Sequence, residues 1–405
     1  MTIAHTTSAA SSPVTADSDD DSLELSVVMP CLNEAATIGR CVEKALRTIR
    51  EHGIRGEVIV ADNGSTDGSV ALAMSQGARI VHVAEPGYGN ALQGGISAAR
   101  GRYVLMGDAD ESYDFTEIPR FLAPFAGGAE LVQGCRLPAG GGTIKPGAMR
   151  FLHRVWGNPM FSALARSWFH APIHDIYCGM RAFRAELPSR LDLRCTGMEF
   201  ALEMIIKATL TGTPIREVPI TLWPDGREGR RSHLRTFRDG WRSLRFFLLF
   251  SPRWLFLVPG ATLGLLGALG YAIALPQAHL GRVEFGVHTL LVASLMIICG
   301  FQAFLFALLT KTFAITEGLL PFDRRMVRLF EIFTLERGLL AGAVATICGA
   351  SLICVAVAQW VARDFGPLDY SQTMRWVIPG TLLVTLGVQA VLSSFFFSIL
   401  GLKRR

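Results

Sequence analysis

The sequence predicts an α/β domain built on a mostly parallel sheet, followed by an α-helical membrane domain of four spans. Three observations predict it. Short apolar runs alternate with helically spaced apolar residues from Leu23 to about residue 233. Polar clusters close three of those runs in succession. Beyond Trp254, four long apolar stretches carry no Asp, Glu, Lys or Arg. Half of the 405 residues are hydrophobic and 18% are charged, so much of the chain is too apolar for a wholly soluble protein. The net charge of +5 says less than its distribution.

Residues 1–22 are mostly small and polar with no apolar run, which predicts a disordered tail and argues against a cleaved secretory signal. The first strand is expected at Leu25–Met29, ending in Pro30, Cys31, Leu32, Asn33 and Glu34. A helix follows from about Thr37, with Ile38, Val42, Ala45, Leu46 and Ile49 on one face. The second strand, Val58–Ala61, ends in Asp62 and Asn63; Ser65, Thr66 or Asp67 could cap the helix after it. A third strand is expected at Arg79–Val83, then a small-residue helix to Arg100. The eight cysteines show neither C-x-x-C nor zinc spacing and read as small buried residues in a reducing compartment.

Tyr103–Met106 reads as a fourth, buried strand that delivers Asp108 and Asp110 with only Ala109 between them. Side chains two apart on extended chain share a face, so both carboxylates could reach one hard cation such as Mg²⁺ or Mn²⁺. A solvated acidic turn is the competing reading of a bare D-x-D. Convergence of three strand ends at the carboxyl edge of a parallel sheet, where ligands bind, weighs against it.

Ser26–Glu34, Val58–Ser69 and Gly107–Phe115, in that order and spacing, resemble family 2 glycosyltransferases of the Rossmann-like GT-A type. The chain is most similar to the dolichyl- and polyprenyl-phosphate sugar transferases, over roughly residues 23–250. The resemblance implies that Pro30, Glu34 and Asp62, with Asn33, Asn63 and Ala109 beside them, bind the nucleotide-sugar. It implies that Asp108 and Asp110 hold the metal and diphosphate. Asn63 stands where a second Asp is usual, and Ser112 where some members offer a Gln to the metal.

Arginines follow. Arg136 lies after an expected strand at Leu131–Gly134, Arg150 and Arg154 are four apart on an expected helix, and Arg181 and Arg184 close the segment His174–Arg184. That segment resembles the acceptor side of the family, and the arginine fork suits phosphate. Arg136, Arg150 and Arg181 are therefore candidates for the acceptor phosphate; Asp110, Asp175, Arg136 and Arg181 are candidates for the catalytic set, with Asp175 orienting the acceptor. Arg227 and His233 resemble a family loop that closes on the diphosphate, Lys being usual at His233. A further helix is expected to open at Gly197–Phe200, and a late strand at Glu217–Ile220.

Residues 234–253 read as a basic amphipathic helix, with Phe237, Trp241, Leu244 and Leu248 at helical spacing among arginines. A nucleic-acid patch is the rival reading, but the spans that follow, about 254–275, 285–310, 338–361 and 376–400 in a membrane domain of 254–402, favour a membrane surface. Lys and Arg crowd the link between the second and third spans and the C-terminal tail, which puts residues 1–253 and the C-terminus in the cytoplasm. The lack of charge inside the spans argues against a pump or proton relay. Gln372, Arg375 and Trp376 match the Q-x-x-R-W pattern of processive polysaccharide synthases, but after three crossings they read as an interfacial anchor.

The expectation is an inverting, metal-dependent transfer of sugar from a nucleotide-sugar to a polyprenyl phosphate. The phosphate acceptor, with a second pKa of about 6, needs no strong base. Another membrane lipid or a growing polysaccharide is the alternative acceptor. A nucleotidyltransferase would want a basic Gly-rich loop where Met29–Glu34 has none, and a scaffold leaves the strand-end clusters without purpose. The implied partners are the donor, the lipid acceptor and the membrane; no nucleic acid is expected, and a homo-oligomer through the spans stays open.

Overall fold

The structure is a computed structural model that describes residues 23–227, 236–276, 279–280, 283–318, 320 and 334–401. The expected tail, His233 and the basic link after the second span lie outside the described residues. The chain divides into two compact units. One holds residues 1–162, 172–204 and 213–232; the other holds 163–171, 205–212 and 233–405. The two short segments, which the sequence reading assigns to the first domain, thus group with the spans.

The first unit is built on a seven-stranded sheet. Its strands are β1 (Leu25–Cys31), β2 (Gly56–Asp62), β3 (Arg79–His82), β4 (Tyr103–Met106), β5 (Leu131–Cys135), β7 (Arg181–Arg184) and β8 (Ile215–Pro219). The order is β3-β2-β1-β4-β7-β5-β8, and β7 runs antiparallel to both β4 and β5 while the other pairings are parallel. Two short strands, β6 (Thr143–Ile144) and β9 (Thr221–Leu222), form a separate parallel pair. Val27, Val28 and Met29 of β1 are fully buried, as a strand with neighbours on both sides and cover on both faces must be. Helix α1 (Ile38–Glu51) presents Ile38, Val42, Ala45 and Ile49 to the core, as its spacing predicts. β7 is the element the sequence did not announce: Arg181 and Arg184 bracket only Ala182 and Phe183, too few apolar residues to read as a strand.

Helices α2 (Ser69–Ser75), α3 (Tyr88–Ser97) and α4 (Ile118–Ala126) complete the first part of the unit. Gly68, at φ 89°, occupies the N-cap of α2, and Asp67, one of the expected caps, accepts from Ser69 N at 3.1 Å. Ser65, Asp67 and Ser69 also bond to the β1 loop. α5 (Asn158–Leu164) lies between two π-helical turns, α6 (Leu187–Arg190) follows β7, and α7 (Phe200–Leu210) starts at the expected position.

In the second unit, α8 (Thr236–Leu249) buries Phe246 and Phe247, with the Phe247 ring edge-on to Trp168 and Phe169. It leaves Phe237, Trp241, Arg238, Arg242 and Arg245 exposed. Among the described residues, four helices are long and apolar enough to cross a membrane: Arg253–Ala274, Val287–Thr316, Leu335–Val361 and Tyr370–Leu400. The second and fourth run past the expected bounds, so Lys311 and Arg375 lie on helix rather than in loops. The first helix packs on the second and the third on the fourth. A Cβ at Gly349 would stand 2.5 Å from Gly380 O, so the third and fourth helices meet backbone to backbone.

Gly101, before β4, is equally confined: a Cβ there would lie 2.5 Å from Ser26 N and 2.6 Å from Leu25 C. Its N–H also donates to Ser26 Oγ at 2.9 Å. Gly101→Ala should therefore destabilise the first unit by about 1–3 kcal/mol through overpacking. A thermal unfolding midpoint several degrees below wild type is the expected reading, and an unchanged midpoint would contradict it.

Candidate active site

The loops after β1 and β2 are stitched together. Asn33, at φ 59°, donates its N–H to Ser65 Oγ at 2.9 Å and accepts from Thr66 N at 2.8 Å. Glu34 N donates to Ser69 Oγ at 2.8 Å, and Ala35 N to Asp67 Oδ2 at 3.1 Å. Pro30 pairs in register with Ala61 at the ends of these strands. Asp62 is 4% exposed and accepts from Gly64 N and Ser65 N at 3.2 and 3.1 Å. Burial alone would raise its pKa, but the Ser65 hydroxyl, those two amides and His82 outweigh it and the pKa is lowered. Asp62 stays ionised.

Asn63 behaves differently from its neighbours. Its amide donates to Val83 O and Glu85 O at 2.9 and 2.8 Å and accepts from Gly87 N at 2.7 Å. Donors and acceptor are engaged in holding the loop after β3. The side chain of Asn63, expected beside the nucleotide, is thus engaged in positioning that loop.

Asp108 and Asp110 leave the end of β4 with Ala109 buried between them. Asp108 Oδ1 accepts from the Tyr88 hydroxyl at 2.8 Å, and Asp110 Oδ1 from the Ser112 hydroxyl at 2.5 Å and Ser112 N at 3.1 Å. Each carboxylate thus has one oxygen fixed and a second, Oδ2, turned to other uses. Ser112 orients Asp110 rather than standing in for a metal-binding Gln. Burial, then the charge of Asp110, pushes the pKa of Asp108 up to about 6. Arg227 supplies the nearby positive charge. It grips Glu34 through Nε, at 2.9 Å to Oε2, and through Nη2 to Oε1, and it lies 3.5 Å from Asp110 Oδ2. Trp223 N to Ser112 O and Gly226 N to Asp110 O, at 3.0 and 2.9 Å, lay the segment carrying Arg227 along the Asp110 loop.

A second charged cluster sits deeper. Arg136 binds Asp175 bidentately, Nε to Oδ2 at 2.7 Å and Nη2 to Oδ1 at 2.9 Å, and its own N–H adds a third bond at 3.0 Å. Asp175 is fully buried and Arg136 is 8% exposed. Burial would lower the Arg136 pKa, but Asp175 and Tyr113 hold it well above the ordinary value. Arg136 Nη1 also reaches the Tyr113 hydroxyl at 3.5 Å, which accepts from Gly179 N at 2.7 Å. Asp175, expected to orient the acceptor, has both its oxygens occupied by Arg136 and positions that arginine.

Arg181, a candidate for the acceptor phosphate, is held by backbone carbonyls. It lies on β7 opposite Met106, fully buried, with Nη1 and Nη2 donating to Ala201 O and Cys178 O at 2.7 and 2.6 Å. Burial lowers its pKa. It ties β7 to neighbouring backbone and presents no open fork. Arg150 is exposed, immediately before a helical stretch on which Arg154 follows, so the structure does not bring it to the carboxylates. Sequence reasoning missed Tyr88, Tyr113 and Gly179. Tyr113, in the loop after β4, and Tyr88, at the start of α3, carried a signal through their place beside strand-end clusters; a Cβ at Gly179 would lie 2.9 Å from Asp108 Oδ2, and nothing local in sequence reveals that.

Asp175→Asn leaves the buried Arg136 charge without its partner, and removing one member of such a pair costs about 3–5 kcal/mol. The variant should lose thermal stability in detergent, and the paired change Arg136→Met with Asp175→Leu should recover part of it. Lost activity at unchanged stability would instead favour a direct role for Asp175 in orienting the acceptor.

Residues 26–191 match the model of "Glycosyl transferase family 2", and residues 308–401 match the "Glycosyltransferase family 2 C-terminal transmembrane region". The chain is 36% identical over 380 residues to the low-salt glycan biosynthesis hexosyltransferase Agl6 of Haloferax volcanii, covering 93% of this chain and 89% of that protein. It is 33% identical over 198 residues to the dolichyl-phosphate hexose transferase of the same organism, 49% of this chain and 82% of that one. Among solved structures, glucosyl-3-phosphoglycerate synthase from Mycobacterium tuberculosis, in complex with Mn²⁺, UDP and glucosyl-3-phosphoglycerate, covers 56% of this chain and 78% of that chain at 22% identity and a TM-score of 0.42. With both halves matched in order and one relative similar along almost the whole length, the chain belongs to glycosyltransferase family 2 and is a membrane glycosyltransferase.

Proposed function

We propose that the protein transfers a hexose from a nucleotide-sugar to a polyprenyl phosphate, of dolichyl or undecaprenyl type, at the cytoplasmic face of a membrane, with inversion and with Mg²⁺ or Mn²⁺. The carrying observation is the carboxylate pair at the end of β4. Asp108 Oδ2 and Asp110 Oδ2 are two hard oxygen donors left over once Tyr88 and Ser112 have fixed the other oxygens. Among the described residues no group of three or more His, Cys, Asp or Glu makes a complete metal cage. A pair that fills only part of an octahedral shell suits an ion shared with substrate phosphates. Bound there, a divalent cation would neutralise charge on the departing diphosphate.

The remaining work falls to the chain itself. Glu34, Asp62 and the stitched β1 and β2 loops form the nucleoside side. Arg227 keeps Glu34 in place and offers positive charge beside Asp110. Arg136, locked by Asp175 and turned toward Tyr113, stands behind the acceptor side. Because Asp175 is engaged by Arg136, an acceptor that is already ionised fits better than a hydroxyl needing a base. A phosphate monoester meets that requirement.

The lipid character of the acceptor has three supports. The relatives' names specify a hexosyltransferase and a dolichyl-phosphate hexose transferase. Four helices of this chain suit a membrane. And in the first unit, Phe151, Val155 and Trp156 are exposed by 79%, 57% and 63%, with Arg150 and Arg154 exposed among them. Such an apolar face flanked by arginines fits a bilayer surface and its phosphates. The Lys/Arg asymmetry of the links supports the cytoplasmic orientation.

Membranes containing the protein, incubated with single radiolabelled nucleotide-sugars, should pass label from one of them into a lipid-extractable sugar phosphate. Label that enters only polysaccharide, or none, would overturn the reading. Asp108→Ala or Asp110→Ala should abolish transfer without loss of expression. Excess EDTA should stop the wild type, and Mg²⁺ or Mn²⁺ should restore it.

Trp156→Ser should raise the KM for long-chain lipid phosphate in vesicles and leave the KM for a short, detergent-soluble prenyl phosphate unchanged. An equal effect on both acceptors would remove this surface from lipid delivery.

A further inference from the structure

At the end of the membrane unit remote from residue 253, Arg375 reaches from the fourth membrane helix to the first. Its Nη1 donates to Ala274 O at 2.9 Å and Leu275 O at 2.8 Å, the carbonyls that close the first helix. Those carbonyls have no partner inside their own helix and sit at its negative end, which explains the cation. It does not explain the rest of the side chain. Arg375 Nε and Nη2 are both buried and have no hydrogen-bond partner among the described residues. These two nitrogens form one edge of the guanidinium, the edge that grips phosphate or carboxylate with two parallel bonds.

The depth of this edge follows from helix length. Tyr370–Leu400 has 31 residues. At about 1.5 Å per residue it is roughly 46 Å long, against about 30 Å of hydrocarbon. The excess, shared between the ends, is about five residues each, and Arg375 lies five residues after Tyr370. It therefore falls where hydrocarbon meets headgroups, the level of lipid phosphate. Trp376 and Tyr370, 40% and 59% exposed, are the aromatic residues expected at that level. Asp369, the nearest acidic residue in sequence, instead caps its own helix by accepting from Gln372 N at 2.9 Å.

We propose that Arg375, held by Ala274 O and Leu275 O, forms with its Nε–Nη2 edge a binding site for a phosphate group, supplied by a lipid headgroup, at the end of the membrane helices remote from residue 253. This assignment is independent of the acceptor proposed above. A carbonyl-braced arginine whose second edge is desolvated is pre-organised for an anion, and the cost of leaving two buried N–H donors bare is relieved when one binds. Bound phosphate would also lock the first and fourth helices together at that end.

The test uses the full chain in neutral detergent and reads the thermal midpoint as ligand is added. The probes are short-chain phosphatidic acid, short-chain diacylglycerol as the phosphate-free control, and inorganic phosphate. Arg375→Lys keeps a donor for Ala274 O and Leu275 O but has no second edge. Its midpoint without ligand should stay near wild type, while the phosphatidic acid needed for half the stabilisation should rise about tenfold, the value of roughly one charge-assisted hydrogen bond. Every other arginine is present in both proteins, so the difference isolates Arg375. A matching loss with inorganic phosphate would support the site with a soluble anion as a second source. Identical titrations of the two proteins, or equal stabilisation by diacylglycerol, would overturn the proposal and leave Arg375 as a helix lock. If Arg375→Lys does not fold, wild type alone decides: phosphatidic acid carrying a photoreactive group at its headgroup should label the stretch around Trp376, and no labelling there would overturn the proposal.

Discussion

Arg227 holds the candidate active site together. Glu34 from the end of β1, Asp110 from the end of β4 and the segment after β9 meet at one guanidinium, although Glu34 and Arg227 are 193 residues apart in sequence. Carboxylates gathered at one sheet edge repel one another and lose hydration, and the raised pKa of Asp108 records that cost. A guanidinium offsets it for Glu34 through two charge-assisted bonds and for Asp110 through proximity. The backbone bonds from Trp223 and Gly226 to the Asp110 loop fix where that guanidinium can stand. The pair of carboxylates is therefore set by a segment far along the chain, not by the D-x-D stretch alone.

Around that centre, the groups that touch the acidic residues are themselves fixed by others. Tyr88 and Ser112 hold one oxygen each of Asp108 and Asp110, while Asn63 fixes the loop from which Tyr88 emerges. Tyr113 links Gly179 to Arg136, and Asp175 holds Arg136 in turn. The consequence is a site whose rigidity comes from saturated hydrogen bonding, with the two Oδ2 atoms left as donors. Rigid groups of this kind lower the reorganisation needed when a charged substrate arrives.

How much of this was legible in sequence follows from the range of the forces involved. β1, β2 and β4, their end clusters and the four spans were readable because a buried parallel strand and a membrane helix each write their environment into consecutive residues. β7 was not, because a four-residue strand with arginines at both ends has no local pattern, and its placement between β4 and β5 is decided by pairing across the chain. The hydrogen bonds of Asn63 were hidden for a related reason. Its position in the motif resembles a nucleotide contact, but three hydrogen bonds to the loop after β3 are visible only once β3 lies beside β2. Gly179 beside Asp108 is the same problem in its purest form, a steric requirement created by a neighbour 71 residues away.

The arginines show why residue type alone could not assign the anion sites. Four were placed among the ligand-binding candidates on the same chemistry, and their surroundings separate the three that lie in or near the sheet. Arg136 and Arg227 have their forks on carboxylates, so each is part of a fixed charge pair. Arg181 has both terminal nitrogens on backbone carbonyls, and its one unpaired Nε has no second donor beside it to complete a fork. Arg375, never a candidate, gives only Nη1 to carbonyls and keeps Nε and Nη2 together and bare. What an arginine can bind depends on which edge remains once the protein has used the others. By that criterion the open fork lies on the membrane helices, while in the catalytic unit Arg136 and Arg227 act through the acids they hold and Arg181 through the carbonyls it ties together.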